Sequence, residues 1–186
     1  MVSITDLWLP ILLSSVTVFV ASFVMHMVLP LHRNDYKELP GEDEVREAMR
    51  KAGVVPGNFV VPRPANPKEM SSPEMMEKYK EGPVAIVNVF PNGPPAMGKA
   101  LAQWFVFCIL VGVFVAYLAG RSLSPGADYV LVFRFVSTAA FLAYGAAQAM
   151  DSIWRGQAWS TTVKHWIDAV VYSLLSAGVF GWLWPR

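Results

Sequence analysis

Apolar positions in this chain come in four long blocks, Leu7–Leu29, Ala100–Ala119, Tyr129–Met150 and Trp166–Trp184, each nearly free of charge. Each approaches the ~20 residues that a helix needs to cross ~30 Å of hydrocarbon. A polar stretch, Leu31–Gly98, separates the first block from the second. The pattern predicts a mainly α membrane protein, with four transmembrane helices and a small α+β extramembrane insertion between helices 1 and 2. Residues 1–30 form the first span, 31–98 the α+β insertion, and 99–186 the three-helix transmembrane region that completes a four-helix bundle.

Within the insertion, Glu42–Gly53 has acids in its first turn, bases in its last and a glycine stop, the charge order a short helix prefers. A second helix is expected over Pro73–Glu81, with Ser72 as N-cap and Gly82 after its end. Asn58–Val61 and Val84–Phe90 read as strands; the near-continuous apolar run of the second predicts burial on both faces, or packing toward the bilayer. So small a unit is marginal alone and is expected to lean on the membrane helices or on another protein.

In the spans, small residues recur every fourth position: Gly112, Ala116 and Gly120; Ala139, Ala143 and Ala147; Ser173, Ala177 and Gly181. Such faces let helix backbones approach closely where lipid removes the hydrophobic drive for association. Trp154, Trp159 and Trp166 are expected at one membrane interface and Trp8, Trp182 and Trp184 at the other. Asp151–Lys164 reads as the loop between the third and fourth spans.

A hydrophobic content of 54% places the chain outside ordinary soluble domains, and a net charge of +1 offers no basic face for nucleic acid. The first block has no basic residue ahead of it and no cleavage site after it, so it is expected to remain as an anchor. Basic residues near the spans fall mostly on one side: Arg33, Lys37, Lys80, Lys99, Arg155 and Lys164, against Arg121 and Arg186. The positive-inside rule then predicts both termini outside and residues 31–98 in the cytoplasm, in a bacterial-type inner membrane. The lone Cys108 excludes an intramolecular disulfide and a cysteine metal site.

Candidate chemistry lies in polar residues inside the spans. On the third, Arg134, Ser137, Thr138, Tyr144, Gln148 and Asp151 share an arc of roughly 120°. On the fourth, His165, Asp168, Tyr172 and Ser176 share a face, with Lys164 four residues before Asp168 and in reach of an ion pair. His26, at the end of the first span, lies at a depth similar to His165. Two facing histidines suit a haem iron or a metal ion, with Asp168 orienting His165. The intramembrane polar candidates are therefore Arg134, Gln148, Asp168 and Tyr172, beside His26 and His165 as cofactor ligands.

No phosphate-binding loop, serine elbow, paired-histidine motif or nucleophile–base pair is visible. The expected role is a non-catalytic accessory or assembly subunit of a membrane complex, in contact with the lipid bilayer and with other membrane subunits or a second copy of itself. A haem- or metal-binding redox bundle and a small dimeric transporter or proton-linked carrier are the alternatives.

Overall fold

The computed structural model describes every residue, Met1–Arg186. The first apolar block is one continuous helical segment, Ile4–Val28, built in three parts. Ser3 caps a 3-10 turn at Ile4–Leu7, its hydroxyl accepting the Thr5 N–H. Helix α1, Trp8–Phe23, follows, with Pro10 in the first turn, where the missing N–H is harmless. A π turn, Val24–Val28, ends the segment. Proline at 30 has no N–H to continue the ladder and pushes Leu29 into an extended conformation (φ −79°, ψ 145°). A single 3-10 turn, Pro30–His32, then folds the chain back over the helix ends.

Residues Glu38–Pro95 form a compact unit of their own. It holds α2 (Glu42–Lys51), β1 (Gly57–Val61), α3 (Pro73–Glu81) and β2 (Ala85–Val89). Ser72 caps α3 by accepting the Met75 N–H. The two strands pair antiparallel, with Phe59 opposite Val87. Burial along β2 alternates, however, with Ile86 exposed and Val87 half-buried, so the expected burial on both faces is not found. A two-stranded ribbon has a second layer on one face at most, and the apolar run conceals that alternation.

The other unit, Met1–Lys37 with Ala96–Arg186, contains the long helices. They are α4 (Met97–Ser122), α5 (Tyr129–Gly145), α6 (Ala149–Arg155) and α7 (Trp159–Trp182). A 3-10 turn, Ala146–Gln148, joins α5 to α6. Three segments are long and apolar enough to cross a membrane: Ile4–Val28, Met97–Ser122 and Tyr129–Arg155. The fourth long helix, α7, has the length at 24 residues but carries Lys164, His165 and Asp168, and is less apolar.

Most of the expected third loop is helical. Only Gly156, Gln157 and Ala158 separate α6 from α7, with Gly156 at φ +71° ending α6. The buried Thr162 hydroxyl joins the two helices, meeting Ser152 Oγ at 2.6 Å and accepting from Gln157 Nε2 at 3.0 Å. Polar residues erased the apolar signal there without breaking the helix.

Helix α1 packs on α4 and α7, and α5 packs on α7 and α4. Two of the small-residue stripes are used inside the chain. A Cβ on Gly112 would press on Ile11, one on Gly120 would lie 2.6 Å from the Val2 carbonyl, and one on Gly181 would lie 2.7 Å from the Tyr129 ring. Ala143 and Ala147 of the third stripe instead face a cavity. Both termini close one end of the assembly: Val2 N–H donates to the Gly120 carbonyl (2.8 Å), Gly126 N–H to Pro185 (2.8 Å) and Trp184 Nε1–H to Ser124 (3.0 Å).

Candidate metal centre

All three histidines of the chain meet at the opposite end of this assembly, brought there by three different local structures. His26 rides on the π turn that ends the first helix, His32 on the 3-10 turn after Pro30, and His165 on the second turn of α7. The ring of His32 stacks on that of His26 at 4.2 Å and on that of His165 at 5.7 Å between centroids. π turns occur preferentially at functional sites, because the extra residue re-aims a side chain.

Two carboxylates join the rings. His26 Nδ1 lies 3.1 Å from the Ser22 carbonyl. A carbonyl only accepts, so Nδ1 carries a proton, and the other ring nitrogen, Nε2, faces Asp168 Oδ2 at 3.7 Å. His32 Nδ1 meets Asp35 Oδ2 at 2.6 Å, and by the same logic its Nε2 faces Asp168 Oδ2, at 3.0 Å. That 3.0 Å approach is not a hydrogen bond: His32 Nε2 has no aligned partner, and neither does Asp168 Oδ1, His165 Nδ1 or the Tyr172 hydroxyl. Leaving such buried groups unpaired costs ~1–3 kcal/mol each.

Two atoms that bind one ion at ~2.0–2.2 Å, at angles between tetrahedral and octahedral, lie ~2.8–3.6 Å apart. The contacts of Asp168 with His32 and His26 are at or close to that span. One ligand atom from each of His26, His32 and Asp168 lies within 4.8 Å of the others, and the same holds for His32, Asp35 and His165. These groupings have the donor types and spacing of a metal site, but the His26 and His32 rings are stacked parallel (interplanar angle 2°), so one ring must turn for both Nε2 atoms to point at one ion.

Of the two carboxylates at the site, only one has a lysine partner. The side chains of Asp35 and Asp168 are only 6% and 5% exposed. Lys164 pairs with Asp35 at 2.5 Å. Burial works to raise the Asp35 carboxyl, but hydrogen bonds from Lys164 and His32 outweigh it and hold the group below its ordinary value. With neutral histidines, one negative charge remains at Asp168, which a cation would compensate.

No protein family, curated protein or solved structure matches this chain. The site is therefore read from its chemistry alone.

Beside the cluster lies a cavity of about 700 Å³. Its walls include Phe19, Val20, Trp104, Phe107 and Tyr144, and its polar end is His26, His165, Asp168 and Tyr172, with Gln148 nearby. Trp104 Nε1–H donates to Ser22 Oγ at 2.8 Å, tying α4 to the last turn of α1, just ahead of the π turn that carries His26.

Of the residues singled out in the sequence, His26, His165, Asp168, Tyr172 and Gln148 gather around this cavity. Arg134 does not; it is exposed near the far end of α5, where its carbonyl accepts from the hydroxyls of Ser137 and Thr138. The arc predicted on the third span is thus not one inward path, since Tyr144 is buried and the helix changes to a 3-10 turn at Ala146. Lys164 pairs with Asp35 rather than Asp168, and Asp168 lies against His26 and His32 rather than orienting His165. Both differences have one cause: the turn after Pro30 brings in His32 and Asp35, which helical phase cannot place.

Proposed function

We propose that this chain is a four-span integral membrane protein that holds a first-row divalent metal ion at the cytoplasmic end of its helices. His26, His32 and Asp168 are the ligands, and His165 and Asp35 line the other side of His32. The observation that carries this reading is the contact of His32 Nε2 with Asp168 Oδ2 at 3.0 Å, with no hydrogen bond between them, at a buried carboxylate that no Lys or Arg pairs with. Two imidazoles and one carboxylate suit Zn²⁺ or Fe²⁺ among the common biological metals. The Ser22 carbonyl on His26 and the Asp35 carboxylate on His32 are the outer partners that fix ligand tautomers. A small ion is favoured over haem because the His32 ring stacks on both His26 and His165, in the space a macrocycle between those two would need. The accessory-subunit reading draws less support, since two of the three small-residue stripes pack within the chain.

Elemental analysis of protein extracted from its own membrane in mild detergent, without chelators, tests the reading. We expect about one first-row ion per chain, with affinity reduced by at least ~100-fold in Asp168→Asn and His32→Ala while both variants remain monodisperse. Protein that carries no such ion, and takes up neither Zn²⁺ nor Fe²⁺ at micromolar concentration, would remove the proposal.

A further inference from the structure

The metal centre uses one end of a cavity much larger than an ion needs. At about 700 Å³ it falls in the range of sites for organic ligands. Its rim consists of exposed apolar side chains on α1, on the π turn that follows it and on α4: Val20, Phe23 and Met27 on one side, Met97 and Leu101 on the other. In a spanning protein such a rim opens sideways into hydrocarbon, not toward water. The far end is the reverse. There the Tyr172 hydroxyl, on a residue 4% exposed, and Asp168 Oδ1 have no partner in the protein.

We infer that this cavity binds a long-chain carboxylic acid, with the alkyl chain between α1 and α4 and the carboxylate against the metal ion and the Tyr172 hydroxyl. The inference rests on the metal-site reading. Charge selects the head group: Asp35 and Lys164 cancel, and a divalent ion beside Asp168 leaves one positive charge, which a carboxylate neutralises. Geometry selects the chain: aromatic walls from Phe19, Trp104 and Phe107 accept methylenes and offer no further charged group. Tyr172 donates the one hydrogen bond that its buried hydroxyl otherwise lacks. Entry needs no water-filled path, because the acid already resides in the bilayer.

Brominated stearate, a quencher of indole fluorescence, tests this on the metal-loaded protein in detergent. We expect saturable quenching at one probe per chain, most of it lost in Trp104→Phe because that indole lines the cavity. Ala143→Phe, at a lining position that is not itself a metal ligand, fills the cavity and should abolish saturable binding at unchanged metal content. Tyr172→Phe, and the methyl ester of the probe, should each bind at least ten times more weakly. Quenching that does not saturate, that is unchanged in Ala143→Phe, or that is equal for acid and ester overturns the inference. Metal content measured on the same samples separates the failures: a full complement of metal without saturable probe binding removes this inference alone, whereas metal-free wild-type protein removes both.

Discussion

Between α5 and α7 the backbones come so close that a Cβ built on Gly145 would lie 2.9 Å from the Cβ of Ala169 and 3.3 Å from the Phe141 ring. Ala169 follows the central carboxylate Asp168, and Trp166 Nε1–H donates to the Gly145 carbonyl at 3.1 Å. Gly145→Ala must therefore push the two helices apart just where they hold the site. We expect a loss of about 1–3 kcal/mol, seen as a lower thermal midpoint in detergent, together with weaker metal binding. Gly98→Ala, on a helical glycine with nothing within 4 Å, should leave both unchanged or slightly raise stability. Equal midpoints for the two variants would show that α5 and α7 do not meet at Gly145. The four-residue pattern of this span marks Ala139, Ala143 and Ala147, yet the close approach to α7 at Ala169 is made by Gly145. A four-residue repeat marks the side of a helix and not the point where a neighbour touches it. Histidines divide the same way. Helical phase aligned Asp168 and Tyr172 with His165, and membrane depth paired His26 with it. His32 escaped because phase carries no information past Pro30. One signal was present: the chain has only three histidines, and all lie beside span ends on the same predicted side.

At the scale of elements, the turn after the first helix is tied to α7 by Lys164 and Asp35. Asp35 is held below its ordinary carboxyl value of 3.8. A carboxylate whose folded value is depressed adds stability that is complete above the unfolded value and lost as pH falls through the folded one. The stability difference between the metal-free protein and Asp35→Asn should thus be constant from neutral pH down to about 5 and shrink below the ordinary value of 3.8. At neutral pH we expect about 1–3 kcal/mol, below the 3–5 typical of a fully buried pair because Lys164 is partly exposed. Denaturant titration of both proteins across that range measures it; a difference that already narrows near pH 6 would mean that Asp35 is raised rather than lowered. This tie also explains which elements were legible. Pro73–Glu81 is the helix its caps announced, because the start and stop signals are local. Helix α7 begins at Trp159, seven residues before its apolar block, and its polar first turns carry Thr162, which bonds Ser152 on α6 and Gln157 of the linker. Apolar patterning reports what faces hydrocarbon, while backbone hydrogen bonding decides where a helix starts.

At the scale of the whole molecule, the ends of the chain and the histidine cluster lie at opposite ends of the long helices. Val2, Gly120, Ser124 and Pro185 are joined by main-chain and indole hydrogen bonds at one end, and His26, His32 and His165 gather at the other. The alternation of ends was readable from the number of apolar blocks, whereas convergence on one site was not, since it depends on a reversal six residues long. The expectation that the site end faces the cytoplasm rests on charge: Arg33, Lys37, Arg155 and Lys164 flank the site, and only Arg121 and Arg186 lie near the termini. Thiol labelling can test this without removing the native cysteine, because Cys108 is fully buried. Tyr36, at 94% exposure, stands three residues after Arg33 on the site side. In intact cells, Tyr36→Cys should resist a membrane-impermeant maleimide and react once the membrane is opened, while Arg186→Cys should react in both. The reverse pattern would place the histidine cluster outside, where the metal supply and the redox conditions differ, and would move the proposed site to the other face of the membrane with its ligands unchanged.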